Sequence, residues 1–312
     1  MFKRAVKVQQ AFALSQRAAI SDAAYVYRRR VGLDRPEASG QSAPMSSLAR
    51  STAVSADQIA AFRRDGYVRC NGLLDPMRLA EVGHHITRLT IALNRDHRPL
   101  AERSTYNQAF LQVMNLWQHD PVARAFVNDA GLAEVAAGLL EVAGVRLYHD
   151  QSLYKEPGGG ITPAHADQYY WPLASDRTIT VWIPLQAVDA EMGPLAFYAG
   201  SHHSQFGRDM PISDESEATI CAAMEASGFP IHDQPYALGD VSFHGGWTFH
   251  RAGANRSVRP RSVMTMIYMD AEMRLAAPIN QMQESDRVQW CGDTAIGAVI
   301  DGPGNPLLFR RA

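Results

Sequence analysis

Thr162-Pro-Ala-His-Ala-Asp-Gln-Tyr-Tyr-Trp171 sets two side chains with metal-binding chemistry, His165 and Asp167, two positions apart. On an extended segment such residues point to the same side, so a strand here would turn both toward one ion. A second imidazole, His250, follows in Trp247-Thr-Phe-His-Arg-Ala-Gly-Ala-Asn255. Two imidazoles and one carboxylate from separate segments form a facial triad, which holds ferrous iron on one side and leaves the opposite positions open. The His-x-Asp pair alone is weak. With 11 His and 20 Asp in 312 residues, chance supplies roughly 0.7 such matches. Each ligand also has a plainer reading: His165 as a hydrogen-bonded core histidine, Asp167 as a turn-former, and His244 as a rival to His250.

The flanking segments carry the case. Val145-Arg-Leu-Tyr-His-Asp-Gln-Ser-Leu-Tyr-Lys-Glu156 reads as a strand, and Pro157-Gly-Gly-Gly160 as the turn that returns the chain toward His165. Thr178-Ile-Thr-Val-Trp-Ile-Pro-Leu185 and Ser262-Val-Met-Thr-Met-Ile-Tyr-Met269 read as further strands, the second apolar enough for a core. Upstream, Ser55 with Gln58 has the form of a capping box, and Asp75-Pro76 reads as cap and first residue of a second helix. A third helical stretch is expected over roughly 120–143.

This order resembles the phytanoyl-CoA dioxygenase-like family of iron(II)- and 2-oxoglutarate-dependent oxygenases over about residues 55–270. The elements carrying the resemblance are Gln58-Ile-Ala-Ala-Phe-Arg-Arg-Asp-Gly-Tyr67, Lys155-Glu-Pro-Gly158, His165-x-Asp167, Trp182-Ile-Pro-Leu185, Gly200-Ser-His202, Gly239-Asp-Val241, and His250 followed by Asn255 and Arg261. It implies a mainly β fold with flanking helices, a double-stranded β-helix of jelly-roll, cupin-like form whose mouth holds the metal. It implies Fe(II), the cosubstrate 2-oxoglutarate and O2, with His165, Asp167 and His250 as metal ligands. His250 is favoured over His244 because the family pattern puts the ligand just before the small-residue stretch ending in Asn255.

The cosubstrate's distal carboxylate needs an arginine, whose planar guanidinium can donate two parallel hydrogen bonds. Arg261, eleven residues beyond His250, matches the commoner family spacing, and Arg259 is the reserve. Gln151 and Tyr154 match family positions that assist 2-oxoglutarate, and Trp182 is expected to pack beside it. Tyr169, Tyr170 and Trp171 are either core or the lining of a substrate pocket. Ala252 departs from the family, many of whose members have serine there. The implied activity is hydroxylation or another oxidation of a small organic substrate, with release of succinate and CO2. Halogenating relatives have a small residue where Asp167 stands, so transfer of oxygen rather than chlorine is expected. The alternatives are a cupin-type metal enzyme without 2-oxoglutarate and a non-catalytic binding protein of the same fold.

Composition fits this reading. A net charge of −2 argues against a nucleic-acid partner. Three scattered cysteines, Cys70, Cys221 and Cys291, form neither a disulfide framework nor a zinc site, which fits a cytoplasmic location. No apolar run is long enough to span a membrane. A monomer or homodimer acting on a small molecule is expected. Residues 1–36 carry eight Lys or Arg against Asp22 and Asp34. Residues 1–54 therefore read as an extension, helix plus linker, ahead of an oxygenase domain over 55–312. The polar segment 203–237 reads as a lid over the metal.

Overall fold

The computed structural model describes residues 47–312; the basic stretch over 1–36 and the linker up to residue 46 lie outside the described residues. Helix α1 (Ala56–Asp65) opens with the expected capping box: Ser55 accepts from the Gln58 amide while the Gln58 side chain accepts from the Ser55 amide. It closes on Gly66 at φ +77°, a left-handed conformation that suits glycine. Strand β1 (Tyr67–Cys70) leads to α2 (Pro76–Leu93), capped by Asp75 with Pro76 in its first turn. A short helix α3 (Thr105–Ala109) and strand β2 (Leu111–Met114) follow.

The single helix expected over 120–143 is two, α4 (Pro121–Val127) and α5 (Ala130–Leu140). The break has a local cause. Asp129 caps α5 at Leu132 and also binds Ser47 and the Leu48 amide, which fixes the turn between the helices. The folded part also reaches further toward the N terminus than residue 55, because Leu48 is buried and Arg50 bonds to the Leu73 carbonyl.

The strands that follow are β3 (Gly144–Lys155), β4 (Thr162–His165), β5 (Thr178–Pro184) and β6 (Leu195–Tyr198). Helix α6 (Asp214–Ala226) precedes β7 (Ile231–His232), β8 (Val241–Gly245), β9 (His250–Ala252) and β10 (Arg261–Asp270). Helix α7 (Gln281–Trp290) and β11 (Leu307–Arg310) complete the chain. All pairings are antiparallel in two sheets. The larger runs β1-β8-β5-β10-β3-β11 with β2 also on β3, and the smaller runs β4-β9-β6-β7.

Alternation along β10 divides its side chains between two environments. Met264, Met266 and Tyr268 join the core beneath α2, α4 and α5, while Val263 joins Trp182, Leu195 and Phe197 between the sheets. Burying each such large apolar side chain contributes about 1.5–3 kcal/mol relative to exposure. The helices thus cover the outer face of the larger sheet, and the two inner faces enclose the site. The architecture is the jelly roll with flanking helices.

Candidate active site

His165 ends β4 and His250 begins β9, directly opposite each other in the smaller sheet. Their rings lie 4.3 Å apart, centroid to centroid. Asp167 is not on the strand: β4 stops at His165, Ala166 stays extended, and Asp167 opens a 3-10 turn, Asp167–Tyr170. The turn is held by the Gln168 amide on the Gly246 carbonyl at 2.9 Å and by Thr178 Oγ1 on Gln168 Oε1 at 2.7 Å. A Cβ on Gly246 would run into Gln168, Thr178 and Trp171, so only glycine lets the turn approach so closely.

Asp167 Oδ1 is 3.6 Å from His165 Nε2 and 3.7 Å from His250 Nε2, and one ligand atom from each residue lies within 4.8 Å of the others. Such spacing suits three ligands each about 2.1 Å from one ion. The other nitrogen of each ring is engaged, His165 Nδ1 with the Pro163 carbonyl at 2.7 Å and His250 Nδ1 with the Thr248 carbonyl at 2.9 Å. A carbonyl only accepts, so both rings carry their proton on Nδ1 and present a bare Nε2 lone pair. Burial, with the neighbouring His165, drives the His250 imidazolium down to about 3, so that ring is neutral at physiological pH. Burial works to raise the Asp167 carboxyl, but His250, His165 and His244 together override it and hold the group well below the usual carboxylate range. The donor set is therefore a carboxylate, the neutral ring of His250 and the Nε2 atom of His165, a composition that suits iron(II).

Two residues support Asp167: Thr180, which the sequence reading missed, and His244, which it weighed only as a rival ligand. Thr180 Oγ1 and His244 Nε2 lie 3.2 and 3.3 Å from Asp167 Oδ2, which leaves Oδ1 for the metal. His244 thus stands outside the group of His165, Asp167 and His250 and hydrogen-bonds to its carboxylate. Thr180→Val is expected to weaken iron(II) binding by about 10- to 100-fold, the usual effect of losing a partner of a ligand. Anaerobic iron titration with circular dichroism measures both affinity and fold.

The inner face of the larger sheet carries a second polar group. Arg261 and Lys155 are paired across β10 and β3, and both are buried. Arg261 Nη1 donates to the Gly193 carbonyl and Nε has no partner; Lys155 Nζ donates to the carbonyls of Gly160 and Gly253. Neither meets a carboxylate among the described residues. Burial, aided by Arg261, pushes the Lys155 ammonium down to about 6, and burial lowers Arg261 to about 10, still charged at neutral pH. A buried guanidinium without an anion forms a receptor for one. Trp182 lies under the guanidinium at 5.6 Å. Gln151 sits on the same face; its Oε1 accepts from Gln112, which in turn accepts from Tyr106, so its amide nitrogen is left for a ligand.

Two expected site residues lie elsewhere, and Trp171 takes the core alternative. Arg259 is on the surface in an ion pair with Asp189 at 2.8 Å. Tyr154 alternates onto the opposite face of β3 from Lys155, Leu153 and Gln151, the face on which Ser152 meets Thr90 of α2. Trp171 is buried edge-on against Tyr148 in the core under the C-terminal segment. Tyr169 and Tyr170 remain partly exposed beside the Asp167 turn, with Tyr170 Oη accepting from the Ile212 amide. The segment over 203–237 is not a free lid. Its helix α6 docks behind β4, where Ser216 and Glu217 bind the backbone of Ala164. Asn255 ties the Lys155 end of β3 to the Arg261 end of β10, donating to the carbonyls of Glu156 and Arg259. The three cysteines are free, and no described helix is long and apolar enough to cross a membrane.

The sequence pattern of the phytanoyl-CoA dioxygenase (PhyH) family matches residues 62–263. The chain belongs to that family. The match contains the triad and the Arg261–Lys155 pair and ends inside β10, before α7. Among curated relatives, phytanoyl-CoA dioxygenase domain-containing protein 1 of Danio rerio is 25% identical over 159 residues, 48% of this chain and 53% of that protein. The chain thus aligns with about half of that relative. Among solved structures, the epimerase SnoN, in complex with Fe3+, alpha ketoglutarate and nogalamycin RO, is similar at 26% identity and TM-score 0.67, over 81% of this chain and 98% of that one. The non-heme alpha ketoglutarate dependent carbocyclase SnoK from nogalamycin biosynthesis is similar at 25% identity and TM-score 0.66, over 81% and 96%.

Proposed function

We propose that this member of the phytanoyl-CoA dioxygenase family is an iron(II)- and 2-oxoglutarate-dependent oxygenase. Its reaction is hydroxylation of a small organic substrate with release of succinate and CO2. The observation that carries the reading is the pair of imidazoles whose Nδ1 atoms are committed to carbonyls, facing a carboxylate whose second oxygen is committed to Thr180 and His244. In this reading His165, Asp167 and His250 hold the metal. Arg261, with Trp182 beside it, receives the distal carboxylate of the cosubstrate, and Gln151 assists. Tyr169 and Tyr170 border the substrate.

When bound, iron and 2-oxoglutarate supply the oxidising chemistry, in which decarboxylation of the cosubstrate by O2 is coupled to oxidation of a substrate C–H bond. The protein binds and orients. Asp167 enters as a carboxylate and His250 as a neutral ring, so neither has to lose a proton before it can bind a metal at physiological pH. The inner faces of the two sheets keep water from the Arg261 end, which strengthens its hold on an anion.

Buried and paired with no acid, Arg261 has a task here that a metal enzyme without 2-oxoglutarate would not give it. Purified protein loaded anaerobically with iron(II) and then supplied with O2 should form succinate only when 2-oxoglutarate is present. Oxidised substrate should gain one oxygen atom and no chlorine. Succinate-free turnover would reject the reading in favour of the cupin-type alternative.

A further inference from the structure

The inner row of β3 runs Lys155, Leu153, Gln151, His149, with Lys155 opposite Arg261 and His149 opposite Ile267 on β10. Arg261 and Ile267 stand about 20 Å apart at the usual rise of a strand. Ile267 pairs in turn with Thr180, whose hydroxyl touches Asp167. His149 therefore lies two strands away from the metal-side threonine, across β10, at the end of the site remote from Arg261. No sequence spacing marked it.

The His149 ring is buried, and its Nδ1 has no hydrogen-bond partner. Buried polar atoms are nearly always paired, so an unpaired one on the inner face that carries Thr180 is a hydrogen bond that a ligand can take up. Burial pushes the imidazolium down to about 4, which makes the ring a neutral partner, not a charge. Trp290 of α7 lies over it at 5.2 Å between centroids and 35° between planes.

Helix α7 is fixed in that position. Asn280 and Gln283 both donate to the Tyr169 carbonyl in the turn that Asp167 opens, and Asp286 accepts from Tyr148 Oη at 3.4 Å. Tyr106 and Tyr170 are both close enough to Asp167 for its charge to raise their hydroxyl pKa, alongside the larger effect of burial. The region thus has several aromatic rings, and His149 Nδ1 is a neutral ring atom left unpaired among them. Helix α7 lies beyond residue 263, outside the region matched by the family.

We propose that His149 and Trp290 form the substrate-recognition subsite, which takes a neutral, ring-bearing molecule whose hydroxyl or carbonyl oxygen hydrogen-bonds to His149. This rests on the oxygenase reading for the identity of the reaction, but not for binding. Aromatic walls favour a ring through area and edge-to-face contact, and a single neutral hydrogen bond sets its orientation.

The test is calorimetric titration of the anaerobic protein, loaded with iron and 2-oxoglutarate, with 1-naphthol and with naphthalene, which lacks the oxygen. The wild type should prefer 1-naphthol by about three- to tenfold, the usual effect of one neutral hydrogen bond. His149→Phe should abolish that preference, His149→Asn should keep part of it, and Trp290→Ala should weaken both probes several-fold. In every variant the visible charge-transfer band of the iron–2-oxoglutarate chelate should persist. An unchanged preference in His149→Phe, unweakened binding in Trp290→Ala, or a wild type that binds neither probe overturns the proposal. A wild type that shows the naphthol preference but no charge-transfer band supports the subsite and counts against the oxygenase reading instead.

Discussion

Replacing His250 by alanine is expected to abolish turnover and iron binding while leaving the fold intact. His250 starts a three-residue strand, and its ring hydrogen-bonds only to the carbonyl of Thr248, two residues away, so its loss removes a proposed ligand and its contacts with Asp167 and His165 but no long-range hydrogen bond. Loss of a ligand's supporting partner alone costs about 10- to 100-fold in metal affinity or activity, and loss of a ligand itself should exceed that. His165→Ala should behave alike, since its Nδ1 also bonds only within its own strand. Anaerobic iron titration and succinate assays measure the effect, and thermal unfolding of the metal-free variants checks the fold. A variant with normal turnover would remove that residue from the triad.

Arg261→Ala should separate cosubstrate binding from metal binding. Removing one partner of a desolvated, hydrogen-bonded charge pair costs about 2–5 kcal/mol, so the apparent affinity for 2-oxoglutarate should fall on the order of 30-fold to several thousandfold. Iron binding should change little, because Arg261 lies at the far end of β10 from Ile267 and Thr180. Arg259→Ala is the control: its exposed pair with Asp189 contributes about 0–1 kcal/mol. Succinate formation against 2-oxoglutarate concentration in both variants measures the difference, and the reverse ranking would transfer the role to Arg259.

Much of the molecule is legible without coordinates because its signals are local. Ser55 with Gln58 and Asp75 with Pro76 place two helix starts, since a cap depends on residues three or four apart. The β-branched run over 178–184 and the apolar run over 262–269 each form a strand that crosses the core, where local preference and burial agree. Local reading fails where a long-range contact decides. The stretch over 120–143 has helical character throughout, but Asp129 bonds to Ser47 and Leu48 and so splits it in two.

The sequence by itself pointed to the fold class and to the candidate ligands His165, Asp167 and His250 through the order of motifs it shares with the phytanoyl-CoA dioxygenase family, since those side chains carry their chemistry wherever they stand. Only the tertiary structure decided which neighbours act with them. Tyr154 and Lys155 are adjacent in sequence, but the pleat of β3 turns one toward the helices and the other toward Arg261. Arg259 and Arg261 flank the same proline, but one reaches solvent and Asp189 while the other enters the core. His244, Thr180 and His149 come from three different strands, and only their register brings them round Asp167. Register is set by the packing of entire faces, and a shift of one residue exchanges every inward side chain for an outward one.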